Sequence, residues 1–181
     1  IKEQTEKGEL TAVKIKYFNL WQNNMDNEEI LVTDENWMSN KIDKPNIKGT
    51  DVYIGIDLSR QDDLSAVGMV HPIENYLWID SHSFVPYKTT IEDKMYKDKI
   101  NYLMHVEESV ASITDNATGI IDYRQIVEFI KSYVKDNELN LKGIYFDRAY
   151  GEIFIERMQE LYPEAKLIEV MQTVTGLGST I

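Results

Sequence analysis

Three stretches in the first half of the chain read as strands, and the first alternates apolar and polar residues. In Val52-Tyr53-Ile54-Gly55-Ile56-Asp57-Leu58, the even positions are all aliphatic, while Tyr53, Gly55 and Asp57 fall on the other face. A period of two predicts a strand over Val52–Leu58, with one face buried. Leu64–Val70 and Tyr76–Val85 read as two further strands, and Pro86 ends the third. The links between them are short, which favours an antiparallel meander. The pattern then changes to a helical period. Thr90 to about His105 is expected to be one helix, with Tyr96, Ile100, Leu103 and Met104 on one side. Residues 107–120 show no clear period, and Asp115-Asn116-Ala117-Thr118-Gly119 marks a turn. Asp122 is placed to cap a second helix, whose stripe is Ile126, Val127, Ile130, Tyr133 and Val134. Leu141–Asp147 reads as a fourth strand, Gly151–Tyr162 as a third helix, and Ala165–Met171 as a fifth strand.

The order βββ-α-α-β-α-β is a meander followed by crossover units. A helical crossover is what lets strands one and four lie parallel and adjacent. This is the ribonuclease H-like arrangement: an α/β fold with a central mixed sheet of about five strands flanked by helices. Residues 1–48 read as an arm and linker, and residues 49–181 as the folded domain. Within the arm, Val13-Lys14-Ile15-Lys16-Tyr17 alternates and is expected to be extended. Glu35-Asn36-Trp37-Met38 suits a short helical turn capped by Thr33 or Asp34.

Composition adds boundaries to this picture. With 181 residues and 43% hydrophobic content, the chain can bury one sizeable core. No apolar run approaches the roughly 20 residues of a membrane span, so no membrane partner is expected. The chain has no Cys, which excludes disulfides and Cys-based zinc sites and fits an intracellular protein. It begins at Ile1 without Met or a signal peptide, and reads as part of something longer. The net charge of −12 argues against a protein that coats DNA. An enzyme that meets phosphates through divalent cations remains compatible with it. No GxxxxGK[ST] or GxSxG motif is present.

Two acids carry the candidate chemistry. Asp57 and Asp147 each close an apolar strand on the face opposite its aliphatic residues. A strand rarely ends on an acid for packing reasons, since an ionised carboxylate is costly to bury unpaired. Parallel neighbouring strands lie about 4.8 Å apart, so the two carboxylates would converge at one sheet edge. Open α/β sheets place their ligands at the carboxyl ends of strands, at a switch in strand order. Oxygen-only ligands suit Mg²⁺ or Mn²⁺, and a pair of such ions promotes phosphodiester hydrolysis. In the following turn, Asp62 reads as a solvated turn residue, and Asp63 stands nearer the metal site. Arg60 and Arg148 could each contact a phosphate but read first as surface arginines, and His71, His82 and His105 read as structural.

The stretch Gly55-Ile56-Asp57-Leu58-Ser59-Arg60-Gln61-Asp62-Asp63-Leu64-Ser65-Ala66 closely resembles the start of the nuclease domain in the large terminase subunit of tailed bacteriophages. Weaker likenesses follow in order: Tyr17-Phe18-Asn19-Leu20-Trp21, Trp37, Gly119-Ile120-Ile121-Asp122-Tyr123, Ile144-Tyr145-Phe146-Asp147-Arg148 and Val170-Met171-Gln172. The resemblance implies a two-metal endodeoxyribonuclease that cuts concatemeric viral DNA during packaging, in the host cell cytoplasm. It implies two Mg²⁺ or Mn²⁺ ions, with Asp57 bridging them and Asp147 holding one. The implied partners are double-stranded viral DNA, the ATPase motor domain of the same full-length protein, the small terminase subunit and the portal. The family's third acid comes from a later segment. This chain stops at Ile181 before a counterpart, so the domain is expected to be incomplete at its C-terminus, with Asp63 the nearest substitute. Two other readings keep the fold. One is an actin-like ATPase lobe, disfavoured by the bulky acidic turn Ser59–Asp63; the other is a non-catalytic docking module.

Overall fold

The structure, a computed structural model, describes residues 32–115, 117–147 and 152–170. The expected arm strand Val13–Tyr17, Arg148 and the segment from Met171 onward lie outside the described residues. The chain divides into two units, Ile1–Lys44 and Pro45–Ile181. In the first, the described part holds the short helix α1 (Asp34–Ser39), which Thr33 caps by accepting the Asn36 N–H at 3.2 Å.

The second unit is built on one six-stranded mixed sheet. Its strands are β1 (Asp51–Asp57), β2 (Ser65–Ile73), β3 (Tyr76–Val85), β4 (Ala111–Ile113), β5 (Asn140–Phe146) and β6 (Lys166–Glu169), ordered β4-β3-β2-β1-β5-β6. The helices are α2 (Ile91–Asp98), α3 (Tyr102–Glu107), α4 (Tyr123–Asp136) and α5 (Glu152–Leu161). β1 pairs antiparallel with β2 and parallel with β5, so strand order and direction both switch at β1. This is the expected ribonuclease H-like α/β architecture, with a sixth strand added.

Alternation settles which face is buried. Val52, Ile54 and Ile56 of β1, Val67 and Met69 of β2 and Ile144 of β5 point to one side of the sheet, each at most 5% exposed. Ile126, Val127, Ile130 and Val134 of α4 and Phe154 and Met158 of α5 cover them and complete the core. Each such buried side chain contributes about 1.5–3 kcal/mol of transfer free energy. Along β3 the same face carries Phe84 and His82. His82 stacks on Phe129 with ring centres 4.1 Å apart. Its Nδ1–H donates to the Ser109 carbonyl and its Nε2 accepts from the Ser112 hydroxyl. Burial holds its pKa below the usual histidine value, so the ring packs neutral. His71 is fully buried. Thr50 already donates to the Ile47 carbonyl, so the His71 Nδ1–H donates to Thr50 Oγ1, and Nε2 accepts from the Tyr133 hydroxyl at 3.0 Å.

Two expectations are corrected, and one undecided stretch is resolved. The single helix from Thr90 to His105 is two. Lys99 adopts a left-handed conformation (φ 57°) that ends α2, and Asn101 caps α3 by accepting the Met104 N–H. The apolar side assigned to that helix faces outward, with Tyr96 88% exposed. Tyr102 is the buried residue, packed with Val85 and Ala111. Residues 107–120 contain the additional strand, β4, which adds to the end of β3. Three residues are too short to show a period. β2 also continues through Pro72, because β1's ladder reaches only to Val70 and leaves one edge of β2 free there.

Candidate active site

Past the β-bulge in β5, the β1–β5 ladder pairs Tyr53 with Gly143, Gly55 with Tyr145 and Ile56 with Phe146. The register shifts between Val52 and Tyr53, skipping Lys142. Without that extra residue, Asp57 would stand opposite Phe146 instead of Asp147. Carried one residue past its last pair, the register beyond the bulge sets Asp147 opposite Asp57, and both line one cleft. Asp57 is the last residue of β1 and is exposed; Asp147 is the first residue after β5 and is half-buried.

Both acids line an open cleft of about 310 Å³ on the sheet face away from α4. Its floor is Gly55 of β1 with Ala66 and Gly68 of β2, and Tyr145 and Val170 border it. Gly55 and Gly68 are direct cross-strand partners, and Ala66 stands opposite Asp57. The cleft thus has a low apolar floor with two carboxylates at one end. A Cβ built on Gly55 meets no atom within 4 Å, and one on Gly68 meets only the Gly55 carbonyl at 3.9 Å. Neither glycine has a positive φ. Packing and backbone conformation therefore do not require glycine here. Glycine inside a strand, which weakens the strand, commonly marks close approach of a ligand. This floor escaped the sequence reading. The signal available was two glycines, each at the centre of an apolar strand.

The pair fits a divalent cation in its donor chemistry: two carboxylates, oxygen only, lining one open cleft. Among the described residues no third His, Cys, Asp or Glu joins them in a cluster that could hold a metal. Asp63 is exposed on the β1–β2 loop and does not line the cleft.

Asp62 is not a free turn residue. Its carboxylate accepts from Lys88 Nζ at 2.8 Å, and this contact holds its pKa below the usual carboxylate value. Its carbonyl accepts from Lys94 Nζ at 2.6 Å, and its N–H donates to the Gly119 carbonyl at 2.9 Å. Gly119 has φ 74°, and a Cβ there would lie 2.6 Å from Lys88 Cγ and 2.8 Å from Asp62 Oδ1. Gly119→Ala is therefore expected to destabilise the domain by about 1–3 kcal/mol, read as a lower urea midpoint. An unchanged midpoint would show that the loop tolerates a side chain at this point.

A mixed sheet of this order, with paired acids where strand direction switches, defines a ribonuclease H-like α/β domain. The chain belongs to the family of terminase large-subunit endonuclease domains, whose model matches residues 1–181. Its fold is similar to that of the bacteriophage HK97 large terminase, whose crystal structure matches with a TM-score of 0.60 and 23% sequence identity. The match covers 76% of this chain and 27% of that one, so the chain spans about a quarter of that protein. No curated protein sequence matches it.

Proposed function

We propose that this domain is a metal-dependent DNA endonuclease that cuts concatemeric viral DNA during genome packaging. The observation that carries the reading is the alignment of Asp57 and Asp147 on one face at adjacent strand ends, in a member of a terminase endonuclease family. Asp57 and Asp147 would hold Mg²⁺ or Mn²⁺ through their carboxylate oxygens. Cations held there, two in the complete site, supply Lewis-acid stabilisation of the charge that develops as a phosphodiester is hydrolysed. The protein's own part is to fix the two carboxylates on rigid strand ends, to balance their mutual repulsion against the cation, and to keep the floor low enough for a DNA strand. Asp63 lies on the loop that follows Asp57 and is the nearest substitute in sequence for a third acid.

The net charge of −12 leaves little nonspecific attraction to DNA. The ATPase motor domain of the full-length subunit, the small terminase subunit and the portal are the proposed partners that supply it, in the host cell cytoplasm. Among the described residues no helix is long and apolar enough to cross a membrane. Supercoiled plasmid incubated with the protein is expected to become nicked and linear in Mn²⁺. EDTA should stop the reaction, and excess Mn²⁺ should restore it. Cleavage that continues unchanged in EDTA would overturn the metal-dependent reading.

A further inference from the structure

The connection from β1 to β2, residues 58–64, is held far more firmly than a link between antiparallel strands requires. Two residues suffice for such a turn. Here the Ser59 N–H donates to Ser65 Oγ at 2.9 Å, and the Ser59 carbonyl accepts from the Tyr123 hydroxyl at 3.1 Å. The Arg60 carbonyl accepts the Ile121 N–H, and Gln61 bridges to Ile120. Asp62 is clasped by Gly119, Lys88 and Lys94 at the distances given above. Lys94 is in turn fixed by Asp98 at 2.8 Å, and Asp98 accepts from the hydroxyl of the buried Tyr102 at 2.9 Å. Asp62 takes a left-handed φ of 67°, a conformation that costs a non-glycine residue energy and persists where its surroundings over-determine it.

Amid these tethers, the loop presents the Arg60 side chain to solvent. Arg60 is three residues beyond Asp57, within about 11 Å of extended chain, and its guanidinium adds several ångströms of reach. Guanidinium groups bind phosphate oxygens in a bidentate fashion. Lys88 and Lys94 are already paired with Asp62 and Asp98, so the solvent-facing Arg60 is the loop's own cation for a phosphate.

We propose that Arg60 contacts a DNA phosphate next to the one attacked, and that Asp62 is a positioning residue that aims the loop carrying it. The proposal rests on the nuclease reading for its ligand, and it is testable apart from cleavage. The probe is a labelled DNA duplex, with equilibrium binding measured in Ca²⁺. Arg60→Ala is expected to weaken binding on the order of tenfold, and to lower the slope of log affinity against log salt by about one phosphate contact. Asp62→Asn keeps a residue that tolerates the left-handed backbone and removes the exposed Lys88 pair and weaker attractions to Lys94 and Lys97, so the melting temperature should barely move. Its binding should nevertheless fall about threefold. In the Arg60→Ala background, Asp62→Asn should add nothing, because its effect passes through Arg60. Unaltered binding by Arg60→Ala, or effects that multiply in the double variant, would overturn the proposal. A chain that binds duplex through Arg60 yet never cleaves it would count against the nuclease reading alone.

Discussion

Replacing Asp57 with Asn is expected to lower Mn²⁺-dependent DNA cleavage on the order of 10³-fold, since holding the cation is worth several kcal/mol of charge stabilisation. Asp147→Asn should behave alike, and the double variant should be little worse than either single one, because the two carboxylates act as one unit. Stability should move the other way. Asp57 is exposed and stands beside Asp147, so removing one of two like charges relieves repulsion. The melting temperature of Asp57→Asn should therefore be equal to or above that of the unsubstituted chain. Lost cleavage accompanied by collapse of the fold would instead mark Asp57 as a structural residue.

The second large effect concerns the floor. Gly68→Val is expected to fold at least as well as the natural chain, because glycine inside a strand costs about 0.5–1 kcal/mol relative to alanine and valine favours strands. The added side chain would rise into the cleft instead of into a neighbour. Cleavage of DNA should fall by tenfold or more while Mn²⁺ binding is retained, and Gly55→Ala should show a smaller loss. The contrast with Gly119→Ala makes the prediction specific. There the glycine is demanded by φ and by Asp62 and Lys88, and stability is what suffers. A Gly68→Val variant that cleaves at the natural rate would show that the strand does not cross this floor.

Much of this was legible in the chain because β1 is so regular. Alternation alone assigned Val52, Ile54 and Ile56 to the core and Asp57 to the opposite face, and the structure agrees. The amphipathic stripe of α4 was equally clear, since four of its five expected apolar positions are buried. The pairing of β1 with β5 followed from the crossover rule. What was hidden depends on contacts distant in sequence. The bulge at Lys142, which aligns Asp147 with Asp57, has no local signature. Nor does the clasp between Asp62 and Lys88, 26 residues apart. The split between α2 and α3 was missed because apolar residues continue across it at helical spacing, while the competing cap is a single Asn101 side chain. β4 was too short to declare itself.

The central claim is that Asp57 and Asp147 hold a divalent cation between them. Anomalous diffraction from crystals soaked in Mn²⁺ tests it most directly. The account predicts an anomalous peak within coordination distance of both carboxylates, lost in Asp57→Asn; a peak elsewhere on the domain, or none at this pair, would contradict it.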